Sequence, residues 1–173
     1  MNKFAAVTIG LLICVLSPAR AERPVEVEML EGTVDQAAEV IEKAYDMLEA
    51  TTVFASAYVG DAASPTRGCW ALTVIVRYDP TAKEYLTKLA KTGKTPASRL
   101  YAIAGLMALD NANRERFSKL GTGRGAGDTA VEHMIGCIFS KTTFAEAVSE
   151  LVKHGPGLYL FDQLPSVLET WDL

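Results

Sequence analysis

His133 and Cys137 stand four residues apart in VEHMIGC, with Glu132 beside the histidine. On a helix that spacing puts imidazole and thiol on one face. They would form half of a tetrahedral zinc site, or a cysteine nucleophile with its base. On a strand the two positions also share a face but lie about 13 Å apart, too far for one metal ion. The only other histidine is His154, and no second ligand pair accompanies the first. The segment Gly121-Thr122-Gly123-Arg124-Gly125-Ala126-Gly127 has the glycine density of a phosphate loop but lacks the Gly-Lys-Ser/Thr ending. It reads as a mobile loop, 121–129, in which Arg124 could grip an anion. No catalytic residue, metal or cofactor is expected from these groups.

Residues 1–21, MNKFAAVTIGLLICVLSPARA, have the layout of a secretory signal peptide. Lys3 supplies the positive start, Phe4 to Leu16 the apolar stretch, and Ala19-Arg20-Ala21 the small-residue cleavage site. The apolar run is shorter than the roughly 20 residues that cross a bilayer. A lipoprotein reading through Cys14 is weaker, because Ile13 stands where a small residue is wanted. Cleavage after Ala21 predicts an exported protein, periplasmic or secreted, with one domain over residues 22–173. Such a chain keeps Cys69 and Cys137. In an oxidising compartment that pair predicts a disulfide closing a loop of about 70 residues, worth roughly 4 kcal/mol in the chain-entropy account. A bridge would also remove Cys137 from any chemistry with His133. The alternative is two buried free thiols.

The whole chain has 17 basic and 21 acidic side chains, and two of the basic ones, Lys3 and Arg20, fall in the leader. An acidic chain without a basic block is a poor ligand for nucleic acid or for an anionic membrane surface. No other stretch is apolar for long enough to make an integral membrane protein.

Residues 22–32 read as a tether or short edge segment. Thr33 and Gln36 have capping-box spacing, and Val34, Ala37, Ile41, Ala44, Tyr45 and Leu48 follow at helical intervals, which predicts a helix over 33–50. Residues 52–60 suit a strand or a continued helix. Two stretches then align without a gap: SPTRGCWALTVIVRYDPTAKEYLTKL, residues 64–89, and TPASRLYAIAGLMALDNANRERFSKL, residues 95–120. Pro65 falls on Pro96, Ala71 on Ala102, Asp79 on Asp110, Glu84 on Glu115, Lys88 on Lys119 and Leu89 on Leu120. Ser64-Pro65 and Thr95-Pro96 look like a cap followed by proline in the first turn. Asp79 and Asp110 sit where one helix would end and another would need a cap. The pattern predicts two units, 64–92 and 95–120, with helices at 65–77 and 80–92, then 96–109 and 111–120. Gly105 would let a neighbouring helix come close. Trp70 and Tyr101 share a position and are read as core. Lys83, Lys88, Arg114 and Lys119 form a ladder on the second helices. A solvated face is the simpler reading of that ladder, and a strip for an acidic partner, with Arg124, the sharper one.

Beyond the Gly-rich loop, residues 131–140 read as a buried strand. Thr143 and Glu146 have capping-box spacing before an amphipathic run stopped by Gly155-Pro156. Residues 157–161 could pair as a short strand, and 165–173 could make a last helical turn.

The doubled stretch resembles the short helical-hairpin repeats of the HEAT-like class over residues 64–120. The carriers are the Ser/Thr-Pro starts, the apolar first helices, Asp79 and Asp110. The resemblance implies two αα-hairpin units, and with the strand read at 131–140 the expected fold is mainly α with a small β element in the C-terminal third. It also implies a protein-binding scaffold, adaptor or inhibitor, placed in the cell envelope by the leader, whose partner is an unknown protein. The alternative expectation is a small-ligand-binding protein or enzyme using the loop 121–129 and His133.

Overall fold

The computed structural model describes residues 34–121 and 127–164. The expected signal peptide and its cleavage after Ala21, the tether 22–32, the Thr33–Gln36 box, Arg124 and the last turn at 165–173 lie outside the described residues.

Among the described residues the fold combines five α-helices with one four-stranded mixed sheet. Helix α1 is Val34–Ala50, close to the predicted span. Its Ala44 and Leu48 are buried, at the periodic positions that specified it. Strand β1, Val53–Val59, follows, and β2 is the two-residue strand Ser64–Pro65. Then come α2, Arg67–Tyr78; α3, Ala82–Thr92; and α4, Pro96–Leu109. Residues Asn111–Gly121 form 3-10 turns broken at Asn113. Strands β3, Ala130–Gly136, and β4, Ile138–Thr143, make a hairpin. Helix α5, Phe144–His154, and a 3-10 turn, Pro156–Tyr159, complete the described chain.

The repeat reading is corrected by this arrangement. Two helical hairpins would pair α2 with α3 and α4 with residues 111–121. The second pairing is present, α4 packing on residues 111–121, but the first is not: α2 packs chiefly on α1 and α4, α3 packs on α4, and α2 barely touches α3. Helix α4 is therefore the hub, buried from Leu100 to Met107. That is why its sequence is apolar all round. A helix wrapped by neighbours needs no polar stripe. The second unit also lacks its second α-helix. Asp110 bonds the Asn113 side chain at 2.9 Å and pairs with Arg116 at 2.8 Å. Such local side-chain bonds compete with helix formation, and two asparagines weaken it further.

The proposed cap-and-proline starts separate in the same way. Thr95 accepts from the Ser98 N–H at 3.0 Å with Pro96 in the first turn, as its sequence predicts. Ser64-Pro65 does not start a helix. It pairs with Tyr58 and Val59, and α2 begins after Thr66. Asp79 ends α2 but does not cap α3, whose N-cap position is Thr81 without a side-chain capping bond; it accepts from the Thr81 N–H at 2.7 Å and the Thr81 hydroxyl at 2.8 Å in the turn between the two helices. Gly105 meets its expected purpose: a Cβ there would lie 2.7 Å from a Leu72 methyl and 2.8 Å from a Leu86 methyl.

The sheet runs β2-β1-β3-β4, with β1 parallel to β3 and the other pairs antiparallel. The β element is thus larger than expected and begins in the first half of the chain. Residues 131–140 are not one buried strand. Gly136 takes the positive φ that a two-residue hairpin loop requires and folds the segment back on itself. Residues 157–161 form no strand either, because Pro156 opens a 3-10 turn instead. The capping box at α5 is complete: Glu146 accepts from the Thr143 N–H at 2.9 Å, and Thr143 accepts from the Glu146 N–H at 3.2 Å. Thr143→Ala is expected to cost about 1 kcal/mol, read as a lower urea midpoint at unchanged slope.

Candidate functional site: an exposed apolar hairpin

The residues with obvious chemical potential are kept apart. His133, on β3, lies opposite Phe54 of β1, and its ring stacks on that phenyl at 5.6 Å. Its Nε2 is 3.1 Å from the Tyr159 hydroxyl. Burial holds its pKa below the ordinary imidazole value, partly opposed by the Glu150 carboxylate. Cys137 sits at the hairpin tip, exposed, with its thiol donating to Asp61 at 3.2 Å. That carboxylate raises the thiol pKa, the wrong direction for a nucleophile. His133 and Cys137 share no partner. Among the described residues, no cluster of three His, Cys, Asp or Glu side chains could hold a metal ion.

The expected Cys69–Cys137 disulfide is not formed, and both cysteines are free thiols. Cys69 lies on α2 inside the core and donates to the Ala55 carbonyl at 3.1 Å, while Cys137 is on the surface at the sheet's far end. Helix and hairpin position them for different environments.

The basic ladder is not one strip. Lys83 and Lys88 are exposed on α3, and line a shallow cleft of about 700 Å³ formed by that helix and the turn before it. Arg114 is half-buried and Lys119 exposed on the 3-10 segment, where the i,i+4 geometry of an α-helix does not hold. Trp70 and Tyr101 are core residues, 2% and 0% exposed.

A different surface stands out. Large exposed hydrophobic side chains include Tyr58, Ile135, Ile138, Phe139 and Leu158, all on the hairpin or the segments beside it. Ile138 is 70% exposed and Phe139 54%. Ile135 and Ile138 pair on one face of the hairpin, Met134 and Phe139 on the other, so its tip is apolar on both sides. Strand β4 is also the edge of the sheet, exposed from Ile138 to Lys141. Lys141, 4.0 Å from Glu132, guards one end of that edge in the way edge strands are usually blunted. Among the described residues, nothing comparable guards the Ile138–Phe139 end. The sequence carries a signal for this site in Ile135-Gly136-Cys137-Ile138-Phe139. A glycine-led dipeptide between apolar pairs marks a hairpin tip.

Two concave surfaces flank the hairpin. One, of about 690 Å³, includes Tyr58, Ile135, Gly136 and Leu158. The other, of about 650 Å³, runs from Met134 and Phe139 across Val53 to Met47 of α1 and Arg67 of α2. No helix of the described chain is long and apolar enough to cross a membrane. No family model, curated protein or solved structure matches the chain.

Proposed function

We propose that the chain is an exported protein-binding module whose β4 edge accepts an extended segment of a partner protein. The observation that carries this is the exposure of Ile138 and Phe139 on an open edge strand. Backbone pairing along such an edge supplies affinity, and alternating apolar pockets supply selectivity. Exposed apolar side chains gathered on one hairpin mark an interaction surface more often than a free one. Export rests on the leader-like residues 1–21, and adaptor or inhibitor of the cell envelope is the role that fits both. The small-ligand or enzyme reading has less support, because Phe54 and Tyr159 already occupy the ring of His133.

A photo-crosslinking residue at position 140, expressed in the native envelope, tests the proposal. Crosslinks to a partner are expected from that position. Ile138→Lys with Phe139→Lys should reduce them by about ten-fold or more, a typical hot-spot loss. Lys83→Glu with Lys88→Glu should leave them unchanged. Crosslinks that arise at position 83 and not at 140 would move the binding surface to α3.

A further inference from the structure

We propose that the chain's own C-terminal segment, residues 165–173, docks into the groove formed by Tyr58, Ile135, Leu158 and Leu160. This does not rest on the partner reading, since the groove lies beside the β1–β3 pair and leaves the β4 edge free.

Three observations converge. The groove is open and presents large exposed apolar side chains beside polar ones: Tyr58 is 49% exposed, Leu158 52% and Ile135 42%, with Ser56, Asp162 and Gln163 also in the lining. A Cβ added at Gly136 or Gly157, both in its lining, would meet nothing within 4 Å. Second, the described chain ends at the groove's lip. Asp162 and Gln163 themselves line it, and Leu164 is the last described residue. That exit is anchored. The Phe161 N–H donates to Thr73 at 3.0 Å, and Arg77 donates to the carbonyls of Phe161 and Asp162. Third, the nine residues that follow, PSVLETWDL, have the composition of a cover. Val167, Leu168 and Trp171 fall on one face at helical spacing, and Pro165 suits a first turn. Fully extended, nine residues reach about 30 Å, so a segment leaving from the lip can lie along the groove. The indole of Trp171 alone brings roughly 200 Å² of surface to bury.

Acrylamide quenching of tryptophan fluorescence tests the docking. The chain has two tryptophans, and Trp70 is buried, so the difference between the full chain and Trp171→Phe reports Trp171. Trp171 is expected to be quenched about three-fold less than free indole, as a covered aromatic should be. Leu158→Asp with Ile135→Asp, both at exposed sites, should bring it to the free level. Truncation after Leu164 should increase binding of a hydrophobic dye. Free-level quenching in the unaltered chain would overturn the proposal. Protection that survives the Leu158/Ile135 variant would overturn it too, by placing the segment elsewhere. Protection lost on dilution would assign the groove to a second copy of the chain.

Discussion

Tyr101→Phe is expected to lower the unfolding free energy by about 2 kcal/mol, and Tyr101→Ala by about 4 kcal/mol. The reason is the outer edge of β1. Strand β2 covers only Tyr58 and Val59, so Ala55 has no strand beside it on that side. The Tyr101 hydroxyl closes the gap. It accepts from the Ala55 N–H at 2.9 Å and donates to the Ala55 carbonyl at 2.8 Å. Phenylalanine would keep the ring against Phe54, 4.8 Å away edge to face, but leave a buried N–H without a partner. Alanine would add a cavity at the centre of the core. Gly68 belongs to the same device. A Cβ there would lie 2.7 Å from the Tyr101 ring, so only glycine lets the tyrosine pass beneath α2. Urea titrations at unchanged slope measure both variants. A cost below about 0.5 kcal/mol for Tyr101→Phe would mean that the strand edge is closed by something other than this hydroxyl.

Stability is expected to fall by about 2 kcal/mol between pH 9 and pH 11 through Cys69 alone. Burial pushes this thiol from its ordinary 9.0 up to about 11. A group whose pKa is raised by folding contributes stability that is fully present below its unfolded pKa. That stability is lost as pH rises through the folded value, because only the unfolded chain releases the proton. Burial also raises Tyr101 and takes Tyr159 to about 12, so the alkaline loss continues above pH 11. Comparing denaturation of the unaltered chain with Cys69→Ala across this range isolates the thiol. The variant's loss between pH 9 and 11 should be smaller by about the stated amount. An identical pH profile would show that the Cys69 thiol does not titrate differently on folding. The same residue gives a simple check on the cysteines. In the native protein a thiol reagent should label Cys137 at once and Cys69 only on unfolding, whereas a bridged pair would show no label at all.

How much of this was legible beforehand depends on the range of the interaction. Helices α1, α4 and α5 could be placed because their signals are local. The 3.6-residue period buries Ala44 and Leu48, Thr95 caps α4 from within four residues, and Thr143 with Glu146 closes a box inside one turn. Asp79 could be read as the end of α2 for the same reason, though it caps no following helix. The doubled stretch misled because the same local marks serve two ends. Pro96 starts a helix, but Pro65 sits in a strand whose partner, β1, is known only once the sheet has formed. CWALTVIV is rich in β-branched residues, yet the helix expected over 65–77 does form there as α2, since burial against α1 and α4 outweighs its propensity. Asp110 keeps the aligned place of Asp79, but its ties to Asn113 and Arg116 hold 3-10 turns where a second helix was expected.

The candidate site divides along the same line. Composition and spacing alone determined that Trp70 and Tyr101 belong in the core and placed the local starts of α4 and α5. Only the tertiary structure decided that Cys69 and Cys137 stay apart, that residues 131–140 fold back at Gly136, and that β4 ends the sheet. Each of these depends on which strand lies next to which, a matter of pairing between residues some 80 positions apart, such as Phe54 and His133. Exposure of Ile138 and Phe139 follows from that pairing. Their side chains are as apolar as any in the core, and it is the absence of a neighbour beyond β4, among the described residues, that leaves them at the surface.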